Sequence, residues 1–255
     1  MKQIKVLVVG KRSFLSNSYK KNTKIKNVKF ISLCEIKKVN FDEYSHIINF
    51  SIDPNNYIKQ YNLTNKIDKY ICNLIKKKKC IYIFPSSRLV YSKSKNNFYG
   101  TNKKKTEKDI IKIKKEYLIL RIGTILTFDL SKKNLFISQA LNSLKKKGFV
   151  ELDISKSTYK DFLPSYVFVK ILDDLIKKSI TGKYNISSNI PINVGDILQN
   201  IIRGYGRGKI IYKKISKKNH SFLLNNSSLK KKIRFYLTKK DILRYCFNLG
   251  KKLNA

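Results

Sequence analysis

The chain has 255 residues, enough for one large or two fused domains around a buried core. Apolar residues make up 42% and aromatics 12%, with four Pro and ten Gly, which excludes disordered, collagen-like and linker sequence. A net charge of +40 points first to a polyanion partner, but 49 of the 56 basic residues are Lys and seven are Arg, the residue that reads phosphates and bases best.

The first half alternates strand-like and helix-like segments. Ile4 to Val9 is a short apolar run closed by Gly10, the pattern of a buried strand; Val28 to Leu33 and His46 to Phe50 follow it. Asn55 to Lys78 carries Tyr57, Ile58, Tyr61, Leu63, Ile67, Tyr70, Ile71, Leu74 and Ile75 on one helical stripe, with Lys on the far side. Cys80 to Phe84 predicts a strand and Pro85-Ser86-Ser87 a turn. Thr101 to Lys115 predicts a helix and Tyr117 to Ile122 a further strand. Strands alternating with helices imply an α/β, doubly wound parallel sheet of Rossmann type, whose ligand crevice lies at the carboxyl ends of the strands. Beyond about residue 125 the pattern gives helices at Leu135–Lys147, Tyr166–Lys178 and Val194–Ile202, with short strands at Phe149–Leu152, Lys183–Ile186 and Lys209–Tyr212. We expect a dinucleotide-binding domain over 1–155 and a smaller carboxyl-terminal α/β lobe for substrate over 156–255, partly interleaved with it.

The lysines are spread over the whole chain, with runs at 76–79, 103–105, 145–147 and 230–232. Asn and Ile are enriched alongside them, as A/T-rich coding would produce. Most of the charge therefore reads as solvated face, and the pattern argues against a nucleic-acid partner. The apolar start of the chain is too short for a signal peptide, and no apolar run approaches a membrane span. These features predict a soluble, cytoplasmic chain. Cys34, Cys72, Cys80 and Cys246 have no CxxC spacing and His46 and His220 stand alone, so no metal site is readable and the thiols are expected reduced.

Two short segments carry chemistry. The opening strand runs into Gly10-Lys11-Arg12-Ser13-Phe14-Leu15-Ser16; a Gly turn between strand and helix aims backbone N–H groups at an anion. Tyr99-Gly100-Thr101-Asn102-Lys103 places a phenol and an ammonium on one helix face, where the ammonium would favour phenolate and make Tyr99 a usable acid/base. By composition about three YxxxK matches are expected by chance. Five occur, beginning at Tyr91, Tyr99, Tyr166, Tyr205 and Tyr236. Context selects Tyr99: it follows a buried strand, extends to YGxxKxxxE through Glu107, and has Ser86-Ser87 upstream, where a hydroxyl would enter the crevice.

With these residues the chain resembles the extended short-chain dehydrogenase/reductase family, in its nucleotide-sugar epimerase/dehydratase branch. The likeness runs from residue 3 to about 250. Gly10 to Ser16 is similar to the family's glycine turn, and Ile47 to Ser51 to its Asn-x-Ala/Ser strand end. Ser86 to Tyr91 resembles the serine strand end, with Ser87 in the hydroxyl position, and Tyr99 and Lys103 match the catalytic pair. Leu120 to Thr124, Asn134-Leu135-Phe136 with Gln139, Lys160 to Pro164 and Gly182 to Ile186 then match later landmarks in order. The resemblance implies NAD or NADP held by Gly10, Arg12, Ser13, Phe14, Leu15, Glu35, Asn49, Phe50, Ser51 and Lys103. Arg12 would suit the 2′-phosphate of NADP and Glu35 the ribose hydroxyls of NAD. It also implies a nucleotide-sugar substrate contacted by Ser87, Arg88, Asn134 and Lys160, and a homodimer.

Several positions depart from the pattern. Ser13 and Ser16 replace glycines, Lys160 replaces Arg and loses its planar fork, Thr124 stands where Asn is common, and Thr127-Phe128 replaces Gly-Pro. Arg88-Leu89 occupies the place of the dehydratases' Asp-Glu pair, which argues against dehydration. What remains is hydride transfer at a sugar carbon, in a 4-ketoreductase or 4-epimerase. The alternatives are a catalytically inactive binding relative, for which the altered glycine turn speaks, and a basic polyanion-binding protein.

Overall fold

The computed structural model describes residues 3–51, 61–93, 97–131, 135–213 and 221–254, with residues 61–66 described by backbone alone. Strands β1 (Val6–Val9), β2 (Val28–Ile31), β3 (His46–Asn49), β4 (Ile81–Ser87) and β5 (Tyr117–Ile122) are followed by β6 (Thr124–Leu126), β7 (Phe149–Leu152), β8 (Tyr159–Lys160), β9 (Phe162–Pro164), β10 (Gly182–Ile186), β11 (Ile192–Asn193) and β12 (Lys209–Tyr212). The helices are α1 (Phe14–Asn22), α2 (Tyr61–Leu74), α3 (Phe98–Ile113), α4 (Phe136–Lys147), α5 (Ser165–Lys177), α6 (Val194–Tyr205), α7 (Ser227–Lys230) and α8 (Lys239–Asn254). The first six residues of the span expected as a helix, 55–60, lie outside the described residues, as do 52–54.

The chain forms two compact units. One comprises Met1–Ile122, Val169–Ile186 and Ser227–Ile233; the other comprises Gly123–Phe168, Ser187–Asn226 and Arg234–Ala255. In the first, six strands make one sheet in the order β10-β5-β4-β3-β1-β2, with every neighbouring pair parallel. A parallel sheet is covered on both faces, which is why β1 and β3 are buried along their whole length and read as continuous apolar runs. Leu7, Ile47, Ile71, Ile75, Tyr82, Phe84 and Ile119 form the core here. Each fully buried aliphatic side chain contributes roughly 1.5–3 kcal/mol. Order and direction are those of the doubly wound α/β class.

The strand β4 corrects one expectation. Pro85-Ser86-Ser87 is not a turn: β4 continues through it, paired with β5 as far as Ser87. Its ladder with β3 covers only Ile81 to Ile83, so Pro85 falls where β4 has a single neighbour, the edge-like position at which a missing N–H is tolerated. Helix α3 begins at Phe98 because the Asn97 side chain accepts the Gly100 N–H at 3.1 Å.

The second unit holds three two-stranded pairs, β12-β7 and β6-β9 parallel and β11-β8 antiparallel, with α4, α6 and α8. Its core contains Leu141, Leu144, Phe162, Ile197, Leu198, Ile201, Ile242, Cys246 and Leu249. Helix α8 is absent from the sequence-based expectations. Its start carries a capping box: Asp241 accepts from the Thr238 N–H and hydroxyl at 3.0 and 2.6 Å, and Thr238 accepts the Asp241 N–H at 3.2 Å. Two glycines let α6 and α8 touch backbone to backbone. A Cβ on Gly204 would land on the Phe247 carbonyl, and one on Gly250 on the Ile201 carbonyl and 2.7 Å from the Tyr205 nitrogen. Ala is the better helix former by about 1 kcal/mol, but neither backbone atom can move without parting the helices. Gly250→Ala should therefore destabilise the chain by about 1–3 kcal/mol, read as a lower urea midpoint. A raised midpoint would mean that the helices separate at no cost.

Candidate functional site

The carboxyl ends of β1, β3 and β4 and the starts of α1 and α3 carry the site residues of the first unit. Gly10 closes β1 at φ +96°, and a Cβ there would sit 2.5 Å from the Ser51 nitrogen and 2.6 Å from its Cα. Only glycine satisfies both the dihedral and the contact. Gly10→Ala should lose about 1–3 kcal/mol from the strained backbone alone, measurable as a drop in thermal midpoint. An unchanged midpoint would show that the Phe50–Ser51 segment simply gives way.

Ser13 caps α1, its Oγ accepting the Ser16 N–H at 3.1 Å and donating its own O–H to Ser16 Oγ at 3.1 Å. The two serines in the glycine positions thus bond to each other at the helix start. Phe14 and Leu15 N–H have no intrahelical acceptor at this terminus, as helix geometry requires, and with the dipole they suit an anion. These amides are the donors that a dinucleotide's pyrophosphate would meet at this strand end. Arg12 is exposed. Glu35 lies beyond β2, where its Oε2 accepts the Ser32 N–H at 2.7 Å and pairs with Lys11 at 3.0 Å. The Ser32 bonds, then Lys11, hold its carboxyl down at about 2. Lys11 is a neighbour that the sequence reading did not single out.

Asn49 ends β3 fully buried. Its Oδ1 accepts from the Ser51 N–H at 3.0 Å and from the Ser51 hydroxyl, and its Nδ2 donates to Tyr82 Oη at 3.2 Å and to Asp68 Oδ1 at 2.8 Å. Phe50 is buried, its ring centroid 6.3 Å from that of Tyr19. Asp68, on α2, pairs through Oδ2 with Lys103 Nζ at 3.4 Å, and both side chains are buried. The Lys103 ammonium lies 4.3 Å from the Phe84 ring centroid and 6.0 Å from that of Tyr99.

Burial separates this YxxxK pair from the others. Among the described lysines only Lys103 and Lys114 are buried. Lys170, Lys209 and Lys240 are exposed, Tyr236 is 86% exposed, and Lys95 lies outside the described residues. Tyr91, the nearest competitor, is held elsewhere: its hydroxyl accepts from Arg121 Nη1 at 2.6 Å and donates to Asn185 Oδ1 at 2.9 Å.

Ser87 starts the short helical turn Arg88–Tyr91, its Oγ accepting the Leu89 N–H at 3.2 Å. That leaves its O–H to donate. The turn is fastened to the start of α3 by Asn97 Nδ2, which donates to the Leu89 carbonyl at 2.6 Å. Beneath it Glu107, buried, accepts from Ser86 Oγ at 2.6 Å and holds Arg121 by a two-pronged ion pair. In the second unit Lys160 sits in β8, half-buried, paired with Ile192 of β11. The neighbouring Asp161 accepts the Leu224 N–H at 2.7 Å. Asn134 lies outside the described residues.

The expected charge balance at Tyr99 is reversed. Burial first, and the Asp68 carboxylate second, push its phenol well above the ordinary tyrosine range. The sequence supplied the ammonium but not the carboxylate that faces it.

No protein-family model and no curated protein matches the sequence. Solved structures do match along nearly its whole length. UDP-N-acetylglucosamine 4-epimerase from Methanobrevibacter ruminantium M1 superposes with a TM-score of 0.76 at 14% identity, over 98% of each chain. dTDP-glucose 4,6-dehydratase from Bacillus anthracis, solved with NAD, gives 0.77 at 15%, over 98% of this chain and 97% of that one. dTDP-4-dehydrorhamnose reductase from the same organism, solved with NADP, gives 0.77 at 11%, over 96% and 99%. The likeness is one of fold: a doubly wound, Rossmann-type α/β fold shared with these nucleotide-sugar epimerase, dehydratase and reductase structures. No helix among the described residues is long and apolar enough to cross a membrane.

Proposed function

We propose that the protein is an NAD- or NADP-dependent enzyme acting on a nucleotide-linked sugar, as a 4-ketoreductase or 4-epimerase. The observation that carries this reading is the pair Tyr99 and Lys103, the one YxxxK match among the described residues whose lysine is buried, with Lys103 bonded through Asp68 and Asn49 to the segment that abuts Gly10. The similar structures support the substrate and cofactor classes, since they include proteins solved with UDP-N-acetylmuramic acid, with UDP-glucose and NAD, and with NADP.

Gly10, the Phe14 and Leu15 amides and the Asn49–Ser51 segment would hold the dinucleotide, whose nicotinamide supplies or accepts hydride when bound. Lys103 would hold the ribose. Ser87 donates its O–H to the reacting oxygen and polarises it. Tyr99 gives that oxygen a proton as a ketone is reduced, and takes it back in the reverse direction. A phenol kept protonated suits the donating direction best. Arg88 and Leu89, in place of an acid pair, leave no second carboxyl for eliminating water.

Calorimetric titration with NAD and NADP, followed by an assay of keto-sugar nucleotides with the reduced cofactor, tests this. Binding with stereospecific hydride transfer is expected. Binding without transfer would favour the inactive relative for which Ser13 and Ser16 speak, and no binding of either dinucleotide would sink the proposal.

A further inference from the structure

We propose that Asp68 is a positioning residue of this site: its carboxylate clamps the Lys103 ammonium to the Asn49–Ser51 segment and biases Tyr99 towards the proton donor. This deepens the enzymatic reading above and rests on it.

Asp68 lies three and four residues before the buried Ile71 and Cys72 on one face of α2, with the buried Ile75 just past the helix end, and it is itself 1% exposed. A carboxylate is carried into such a place only with partners. It has one on each oxygen: Asn49 Nδ2 on Oδ1 and Lys103 Nζ on Oδ2. Asn49 in turn holds Ser51, whose backbone abuts Gly10. A continuous chain of contacts thus runs from the glycine turn to the Lys103 ammonium, and Asp68 is its middle link. A lysine side chain has four rotatable bonds. The carboxylate at 3.4 Å and the Phe84 ring centroid at 4.3 Å both restrict where its ammonium stands.

The same contact governs charge. An uncompensated ammonium beside a phenol favours phenolate, but one paired with a buried carboxylate largely loses that effect. The other titratable groups packed around the pair do not replace Asp68. Tyr82 of β4 is held protonated by its burial, Cys72 of α2 likewise has its thiol pushed up to about 11, and Glu107, one turn beyond Lys103 on α3, is neutralised by Arg121 of β5.

Tyrosinate absorbance over a pH series tests the proposal without any turnover. The difference between the chain and its Tyr99→Phe variant isolates Tyr99, and the same difference is taken in an Asp68→Asn background. We expect Tyr99 to ionise about one pH unit lower once Asp68 is neutral, burial still holding the larger part of the rise. The pH limb for oxidation, which needs phenolate, should move down with it. An unchanged Tyr99 titration in Asp68→Asn overturns the role of Asp68 and leaves the enzymatic reading standing. Absent turnover in the unaltered protein sinks that reading instead, while the titration still reports on Asp68. If Asp68→Asn does not fold, NMR on the unaltered chain with labelled lysine and aspartate decides. A hydrogen-bond coupling between the Lys103 ammonium and the Asp68 carboxylate supports the clamp, and no coupling between them overturns it.

Discussion

Tyr99→Phe is expected to lower turnover of a keto-sugar nucleotide by about 100- to 10,000-fold, the range for loss of a general acid, with dinucleotide affinity and thermal midpoint nearly unchanged. The substitution removes one oxygen and keeps the ring 6.0 Å from Lys103 Nζ. Lys103 keeps Asp68 and Phe84, so the ammonium stays where it was. Among the described residues the two phenols nearest in the site are already engaged. Tyr91 spends its hydroxyl on Arg121 and Asn185, and Tyr82 is buried against Asn49. Tyr91→Phe is the natural control and should leave turnover within a few fold. Steady-state kinetics and calorimetry on the two variants check this. Equal turnover in Tyr99→Phe and the unaltered protein would remove Tyr99 from the chemistry.

The parallel sheet was legible because its strands are buried on both faces, so Val6 to Val9 and His46 to Phe50 stand out as apolar runs. Pro85 was misleading for a local reason. Proline argues for a turn unless one neighbouring strand has already ended, and where β3 ends is a fact of register, not of local sequence. Helix α8 was missed although Ile242, Cys246, Leu249 and Leu253 lie on one stripe and Thr238 and Asp241 mark its start; Lys-rich surroundings hid the stripe. Asp68 left a signal too. It is an acid lying on the apolar stripe of α2 with Ile71 and Cys72, and an acid in that place asks for a partner. The Tyr99 and Lys103 spacing could be read directly, since four residues make one helical turn. The sign of the charge effect between them could not, because it depends on a carboxylate from a different helix.

Glu107→Leu should be the most destabilising substitution around the site, lowering stability by about 3–5 kcal/mol. The Arg121 side chain is 13% exposed and its guanidinium is held by both Glu107 oxygens, which, with the Tyr91 hydroxyl, raise its pKa above even the ordinary arginine value. Removing the carboxylate leaves a cation in a place with little water and strips Ser86 Oγ of its acceptor at 2.6 Å. Because Ser86 precedes Ser87 in β4, the damage also reaches the hydroxyl proposed to polarise the substrate. Removing both charges is a different experiment. Glu107→Leu with Arg121→Met exchanges a desolvated ion pair for apolar packing, which is often neutral. The double variant should therefore be more stable than Glu107→Leu alone, by an amount that a double-mutant cycle in urea measures directly. Were the two losses simply to add, Glu107 and Arg121 would be stabilising the end of β4 independently, and Arg121 would not depend on its carboxylate to stay buried.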